Sequence, residues 1–440
     1  MHALAGRLFP ICRSITGEGV RRSLRMLGEM IPLELHEVPS GTRVFDWTVP
    51  QEWNVRDAYV ANARGERVID FRRHNLHVVQ YSTPVRTRMT LDDLRSRLHS
   101  IPERPNAIPY RTSFYKETWG FCLTDTQLRA MEPGDYEVVI DASLTDGSLT
   151  YGELFIPGDT GEEVLVHAHC CHPSLANDNL SGLVVATYLA DAILQSARRY
   201  SYRFVFLPGT IGPITWLSRN ENRVNHIRHG LVLTGIGDPG PFTYKRSRRG
   251  DALIDRAMPH LLKSAPATTR IYDFEPYGYA ERQYCSPGFN LPVGCLMRTP
   301  YATYPEYHTS DDNLDFLRPE SLEESLRLLI DLVHLLERDR RCMNLSPKGE
   351  PQLGKYGLYG STGGTGVDTR QMALLWVLNS SDGSATLLDI AERARLPFSV
   401  IEEAASELET AGLLKPLEHD VTFREAGDWR GESPIAGEKP

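Results

Sequence analysis

The sequence has no run of about 18 consecutive apolar residues, the length that a membrane-spanning helix needs. Its first residues, MHALAGRLFPICRSITGEG, do not combine a basic segment with a following apolar stretch, so no signal peptide is expected. The chain also has only 7 cysteines in 440 residues, an odd number that does not indicate a disulfide framework. These absences predict a reduced, cytoplasmic protein that does not contact membranes.

A surplus of positive charge is missing as well. The 48 Lys and Arg residues are outnumbered by 57 Asp and Glu residues, which gives a net charge of −9. Proteins that bind nucleic acid usually present a basic face, so no nucleic-acid partner is expected. The length and the hydrophobic share of 41% are those of a globular protein with two or three domains.

After about residue 135 the sequence alternates between strand patterns and helix patterns. The apolar runs VLVHAHC and YRFVFLPG have the length of buried strands, and NLSGLVVATYLADAIL follows the first of them with helical spacing. Strands that alternate with helices favour a mostly parallel sheet flanked by helices. We therefore predict an α/β domain formed by residues 1–40 and 130–342.

Three further regions have different patterns. Residues 41–129 contain short β-prone runs between prolines and glycines, which predicts a mostly β insert domain. Residues 343–365 are rich in glycine and predict a linker. Three short helical patterns followed by LLKPLEHDVTF predict a winged-helix domain over residues 366–430. Its third helix, within 397–414, contains four glutamates and no Lys or Arg, so we expect it to dock onto protein rather than to bind DNA.

The stretch 164–182, VLVHAHCCHPSLANDNLSG, concentrates potential metal ligands at the end of a predicted strand. In open α/β sheets, ligands bind beyond the carboxyl ends of the strands. His169 ends the apolar run and Asp178 opens the next helix. Imidazole nitrogens and carboxylate oxygens are ligands that suit zinc. The alternative for any one of these residues is an ordinary place in a buried core.

Four motifs resemble those of bacterial aminopeptidase-like proteins: RSITGEGVR (13–21), HCCHPSLANDNLSG (169–182), ERQYCSPGFNLPVG (281–294) and PEYHTSDDNLD (305–315). The second and fourth motifs are similar to the metal-binding motifs of zinc-dependent aminopeptidases of the leucyl-aminopeptidase and glutamate-carboxypeptidase type. The resemblance implies a zinc-exopeptidase-like fold with a β insert and a C-terminal winged helix. It also implies that His169, Asp178 and His308 bind the metal.

The sequence departs from that family at several positions. The family has two acidic residues after the next strand, one of them the general base, and here Thr210 and Ile211 occupy those positions. Thr234 and Gly235 stand where the family has a further metal-binding aspartate. The resemblance therefore implies one zinc ion rather than two, held by three protein ligands as in catalytic zinc sites.

The missing base has two candidate replacements, Glu281 and Glu306. Glu281 lies in a loop expected to flank the site. Glu306 precedes His308 by two residues, and on a strand this spacing puts both side chains on one face. His172 is predicted as a weaker fourth ligand or a substrate contact, because on an extended strand it points away from His169 unless the chain turns.

Together these residues predict a zinc-dependent hydrolase of an amide or peptide-like small substrate, with a biosynthetic role implied by the resemblance. Arg282, Tyr284 and Asp238 are expected to contact the substrate. The alternative is an aminopeptidase-fold binding or scaffold protein whose hydrolytic site has decayed, and the loss of the acidic pair favours it. A homo-oligomer is compatible with both hypotheses.

Overall fold

The structure is a computed structural model that describes residues 1–264, 268–358 and 368–417. The chain divides into two compact units, residues 1–337 and 338–440. This boundary precedes the predicted one at residue 342. Residues 359–365 of the predicted linker, and residues 366–367 and 418–430 of the predicted winged helix, lie outside the described residues. None of the described helices is long and apolar enough to cross a membrane.

The first unit combines helices and strands throughout its length. Its helices are α1 (His2–Leu8), α2 (Glu18–Leu27), α3 (Leu91–Arg95), α4 (Asp125–Ala130), α5 (Gly182–Leu194), α6 (Ile211–Arg219), α7 (Leu253–Leu262), α8 (Glu281–Tyr284) and α9 (Pro319–Arg338). Its strands are β1 (Glu34–Pro39), β2 (Arg43–Val44), β3 (Trp47–Thr48), β4 (Glu52–Ala61), β5 (Arg67–Asp70), β6 (Val85–Thr90), β7 (Leu98–His99), β8 (Phe121–Cys122), β9 (Asp135–Thr145), β10 (Ser148–Ile156), β11 (Glu163–His169), β12 (Ser201–Leu207), β13 (Ile227–Leu233), β14 (Thr243–Lys245), β15 (Arg270–Tyr272) and β16 (Val293–Met297).

An eight-stranded sheet organises the first unit, in the order β1-β10-β12-β11-β13-β16-β14-β15. The four central strands, β12, β11, β13 and β16, run parallel to one another. Antiparallel pairs at both sides make the sheet as a whole a mixed one. Every residue of β11 and β12 is buried, as expected for central parallel strands covered on both faces. The predicted α/β fold with helices around the sheet is confirmed.

The carboxyl ends of the central strands meet at one edge of this sheet. His169 ends β11 and pairs with Leu207, the last residue of β12, and Leu233 ends β13 on the other side. The loops that follow these three strands therefore lie side by side. This edge is the position where open α/β sheets bind ligands.

The insert folds as a separate four-stranded antiparallel sheet in the order β5-β4-β9-β6. Because β9 belongs to it, the insert extends to Thr145, and the predicted end at residue 129 is too early. The sequence YEVVIDASL indicates a strand but not the sheet that the strand joins. The chain returns to the large sheet in β10, which begins at Ser148.

The second unit contains three helices and a small sheet within its described residues. Its elements are β17 (Arg341–Asn344), α10 (Thr369–Ser380), β18 (Asp382–Thr386), α11 (Leu387–Ala394), α12 (Phe398–Thr410) and β19 (Leu414–Pro416). β17 is the middle strand, so two residues of the predicted linker, 343–344, belong to the sheet instead. The strand is too short for its pattern to be recognised. Residues 418–423 of the predicted wing lie outside the described residues.

Candidate metal centre

The candidate centre lies where β11 ends and the chain turns back towards α5. His169 is the last residue of β11, and Ser174 has a positive φ of 44° in the loop that follows. Asp178 lies in the segment Ala176–Ser181, directly before α5, and its backbone angles, φ −108° and ψ 85°, are not helical. The side chains of His169 and Asp178 are both buried. The strand end and the helix start thus bring the two polar groups together at the carboxyl edge of the sheet.

Two imidazoles contact the two oxygens of a single carboxylate. His169 Nε2 lies 2.8 Å from Asp178 Oδ1, and His308 Nε2 lies 3.0 Å from Asp178 Oδ2. His172 Nε2 lies 3.9 Å from Asp178 Oδ2. One ligand atom each from His169, His172 and Asp178 lies within 4.8 Å of the others. The chain turns after Cys171, so His172 faces the same site as His169 although three residues separate them.

The charge states of these groups suit a cation. Burial opposes ionisation of Asp178, but its interactions with His172, His169 and His308 outweigh burial and hold its pKa well below the usual range. Burial lowers the pKa of His172 to about 3, so its imidazole is neutral at pH 7. An ionised carboxylate and neutral imidazoles are the forms that bind zinc. The donor set therefore fits a cation: His169, His172 and Asp178 form the clustered group of potential ligands, and His308 contacts Asp178 Oδ2 beside them.

The backbone around Asp178 is held by a second carboxylate, that of Asp312. Its side-chain oxygens accept hydrogen bonds from the backbone N–H groups of Asn177, at 2.6 Å, and Asp178, at 2.9 Å. Burial raises the pKa of Asp312 to about 7. Asn179 donates from Nδ2 to the carbonyl oxygen of Leu233, which ties the turn to the end of β13. These contacts position Asp178 from both sides.

Two tyrosines cover the centre, and sequence analysis assigned no role to either. The Tyr279 hydroxyl donates to Asp178 Oδ2 at 3.1 Å, and its ring stacks on that of His169 with centroids 4.9 Å apart. The Tyr307 ring stacks on that of His308 with centroids 3.9 Å apart. The two hydroxyls lie 3.0 Å from each other. Both histidine rings are thereby fixed in orientation, as second-layer contacts do in metal sites.

A cavity of about 440 Å³ opens beside the centre. Insert residues, among them Trp47, Tyr110 and Phe114, form one of its walls. No Asp, Glu, Lys or Arg lines the cavity among the described residues. The lining residues are Ile15, Trp47, Tyr110, Thr112, Phe114, Tyr115, His167, His169, Cys171, His172, Gly209, Thr210, Ile211, Gly278, Tyr279, Ala280, Tyr307 and His308.

Comparison with known proteins assigns the chain to a family. The family model described as a domain of unknown function, DUF4910, matches residues 2–339, and a winged helix-turn-helix model matches residues 340–416. The chain belongs to the DUF4910 family. A relative from Clostridium acetobutylicum, provisionally named a polysaccharide biosynthesis protein with an aminopeptidase-like domain, is 50% identical over 94% of this chain and 96% of its own length.

Solved structures confirm the predicted aminopeptidase-like fold of this DUF4910 chain. The crystal structure of a provisionally assigned peptidase from Clostridium acetobutylicum has a TM-score of 0.91 and 50% identity, covering 94% of this chain and 96% of its own. BSAP, a zinc aminopeptidase from Bacillus subtilis, has a TM-score of 0.55 and 11% identity, covering 76% of this chain and 94% of its own. At that identity the second comparison concerns the fold alone.

Both predicted bases are absent from the cavity wall of this DUF4910 member. Glu281 is fully buried and forms an ion pair with Lys245, whose Nζ lies 2.5 Å from Glu281 Oε1. Glu306 lies in a turn rather than on a strand, so the two-residue spacing does not place it beside His308. Thr210 and Ile211, at the two positions where the resemblance implies acidic residues in zinc aminopeptidases, do line the cavity. The expectation that Glu281 or Glu306 faces the site is therefore wrong.

The three predicted substrate contacts also lie outside the cavity lining. Asp238 is buried and accepts hydrogen bonds from Asn177 Nδ2 at 3.0 Å and from Thr299 Oγ1 at 2.6 Å, so it supports the loop next to Asp178. Arg282 is half-buried on α8. Tyr284 is buried behind His167 and lies 2.9 Å from its Nδ1. Sequence analysis treated His167 as part of an apolar strand, although its spacing of two from His169 indicates the same strand face.

Proposed function

We propose that this DUF4910 protein is a metal-dependent hydrolase of a small amide or peptide-like substrate. The observation that supports it is the convergence of His169 and His308 on the two oxygens of Asp178, beside a cavity of about 440 Å³. A cavity of this size accommodates a small molecule. The name of the Clostridium relative supports a substrate from a biosynthetic pathway.

The proposed zinc ligands are His169, Asp178 and His308, with His172 as a fourth. Bound zinc would supply polarisation of a substrate carbonyl group. The chain itself orients the ligands: the Tyr279 hydroxyl holds Asp178 Oδ2, and its ring keeps the His169 imidazole in place. Burial keeps water from His169 and Asp178, whose side chains are 2% and 1% exposed, and this strengthens electrostatic interactions there, whereas 33% of the His308 side chain is exposed.

Zinc-dependent hydrolysis tests this function. The purified protein, loaded with one equivalent of zinc, is assayed against a panel of acyl and aminoacyl p-nitroanilides. We expect release of nitroaniline that a chelator abolishes and that His308→Ala abolishes, whereas Glu306→Gln retains it. Stoichiometric zinc binding without turnover of any compound would contradict a hydrolase.

A second candidate function is a binding protein that has retained the fold and lost the chemistry. Thr210 and Ile211 line the cavity where the zinc-aminopeptidase motif has acidic residues. No carboxylate lines the cavity among the described residues. A general base contributes about 10²- to 10⁴-fold to such reactions, so its loss is costly. Zinc binding without turnover in the same assay would favour this function.

We infer that α12 of the winged helix does not bind DNA. It carries Glu402, Glu403, Glu407 and Glu409 and no Lys or Arg. Two arginines of the same unit are occupied by these acids: Arg370 Nε lies 2.9 Å from Glu407 Oε1, and Arg340 Nη2 lies 2.8 Å from Glu409 Oε1. The helix therefore offers carboxylates rather than cations to a phosphate backbone.

Fluorescence anisotropy of a labelled DNA duplex checks this inference. Non-specific DNA-binding proteins bind with dissociation constants of about 10⁻⁴ to 10⁻⁶ M at physiological salt. We expect no anisotropy change at protein concentrations up to about 100 µM in that range. If the protein binds DNA in a salt-dependent way and Glu402→Lys does not change the affinity, another surface contacts DNA. If Glu402→Lys changes the affinity, α12 contacts DNA.

A further inference from the structure

His167 is a buried polar residue that the proposed ligand set does not use. It lies on β11 two residues before His169, so both side chains project from the same face of the strand. Its side chain is fully buried and its ring lines the cavity. Nε2 has no hydrogen-bond partner among the described residues. Buried polar atoms are nearly always hydrogen-bonded, so an unpartnered one at a cavity is available to bond a molecule that enters it.

The opposite nitrogen of the ring has a defined partner. His167 Nδ1 lies 2.9 Å from the hydroxyl of Tyr284, which is itself fully buried. Among the described residues, His167 Nδ1 is the acceptor within hydrogen-bond distance of the Tyr284 hydroxyl. We assign the hydroxyl as the donor to Nδ1, because a hydroxyl that accepted instead would leave its own proton without a partner; in the neutral imidazole the remaining proton then lies on Nε2. His167 thus presents an N–H donor on the ring edge that does not face Tyr284.

The surroundings of this donor suit an uncharged ligand with a ring. Trp47, Tyr110, Phe114 and Tyr115 line the same cavity, and no Asp, Glu, Lys or Arg does so among the described residues. Aromatic side chains favour stacked or edge-to-face contacts with flat groups. A charged ligand group would lose its hydration there without gaining a countercharge from the cavity wall.

We propose that His167 is a substrate-binding residue whose Nε2–H donates a hydrogen bond to the carbonyl oxygen of a neutral, ring-bearing amide in the cavity. The proposal rests on the proposed function in one respect only, that this amide is the bond to be hydrolysed. Tyr284 acts through His167 as a positioning residue. A donor fixed before the substrate arrives can stabilise a carbonyl oxygen without reorganisation.

Binding of two small probes to the metal-free protein tests the proposal. Acetanilide and N-ethylaniline have nearly the same shape, are both neutral at pH 7.5 and differ at the carbonyl group. Chemical-shift titration gives both dissociation constants. We expect acetanilide to bind about five- to tenfold more tightly, because it satisfies a buried donor that N-ethylaniline leaves unpaired.

Substitution of His167 assigns the difference to this side chain. We expect His167→Phe to reduce acetanilide affinity to that of N-ethylaniline, while His167→Gln, which keeps an N–H donor, restores part of the difference. Equal affinities of the two probes for the native protein, or an undiminished preference in His167→Phe, would overturn the proposal. If His167→Phe does not fold, Tyr284→Phe replaces it. Without the Tyr284 hydroxyl, the imidazole proton of His167 can move from Nε2 to Nδ1, and we expect the preference for acetanilide to fall by about half or more.

The measurement separates this proposal from the proposed hydrolase. Because the probes are titrated without metal, the acetanilide preference does not depend on turnover. A native protein that prefers acetanilide but hydrolyses no amide would refute the hydrolase and leave the role of His167 standing. Zinc-dependent hydrolysis without any preference for acetanilide would refute the role of His167 alone.

Discussion

Asp178→Asn is expected to lower the affinity for zinc by more than about a hundredfold, since loss of a residue that merely supports a metal ligand already costs about 10- to 100-fold. Asp178 supplies the negative charge in the proposed ligand set, and its two oxygens contact His169 and His308. Asparagine has nearly the same shape but no charge. Its amide also offers the ion one neutral oxygen instead of a charged carboxylate.

Competition titration against a chromogenic chelator measures this loss. Glu306→Gln is the matched control, because Glu306 lies two residues from His308 but outside the cavity lining, and we expect it to bind zinc like the native chain. Circular dichroism of both variants establishes that they are folded. Native-like zinc affinity in Asp178→Asn would show that the ion binds elsewhere, and the proposed centre would have to be abandoned.

The parts of the fold that sequence analysis predicted correctly are those with a strong local pattern. The fully buried β11 and the helix after it were placed correctly in the core of the large sheet, because a buried strand followed by a buried helix has few alternative placements. β9 was assigned to the wrong sheet, since alternation along a strand does not identify its neighbours. β17 was missed because four residues are too few to show a period.

In the candidate site, too, the residues that the sequence identifies are those with a local pattern. His169 and Asp178 are close in sequence, so a strand end and a helix start were enough to bring them together. His308 lies 130 residues from Asp178 and was identified only through the resemblance of its motif. Tyr279 and Tyr307 come from separate loops without a regular period, so no local pattern indicates their contact. The role of Glu281 depends on Lys245, a partner that sequence spacing cannot identify.

Glu281 belongs to a buried ion pair with Lys245, and we expect a large loss of stability when this pair is broken. Lys245→Met is expected to lower the free energy of unfolding by about 3–5 kcal/mol, the usual cost of removing one partner from a buried ion pair. Only 4% of the Lys245 side chain and none of the Glu281 side chain is exposed, so the remaining carboxylate cannot gain water without local opening. Burial lowers the pKa of Lys245, but the interaction with Glu281 outweighs burial and the pKa is raised, which keeps the ammonium group of Lys245 protonated.

Urea denaturation of Lys245→Met and Arg246→Met, two neighbouring positions, provides the measurement and its control. Arg246 pairs with Asp273 at 2.7 Å, but 33% and 87% of these two side chains are exposed, so we expect a loss within about 1 kcal/mol. The double variant Lys245→Met with Glu281→Leu removes both charges, and we expect it to recover most of the stability. Equal losses in the two single variants would mean that the buried pair has no special weight.

Lys245→Met is also expected to affect the metal centre. Lys245 Nζ also donates to the carbonyl oxygen of Tyr277 at 2.8 Å, and a Cβ at Gly278 would lie 2.0 Å from Glu281 Oε1. The loop that carries Tyr279 onto Asp178 is thus packed directly against the pair. We therefore expect folded Lys245→Met to bind zinc about tenfold more weakly, as for other losses of supporting contacts, with the double variant intermediate. Unchanged zinc affinity in a destabilised Lys245→Met would show that the pair supports the fold without positioning Tyr279.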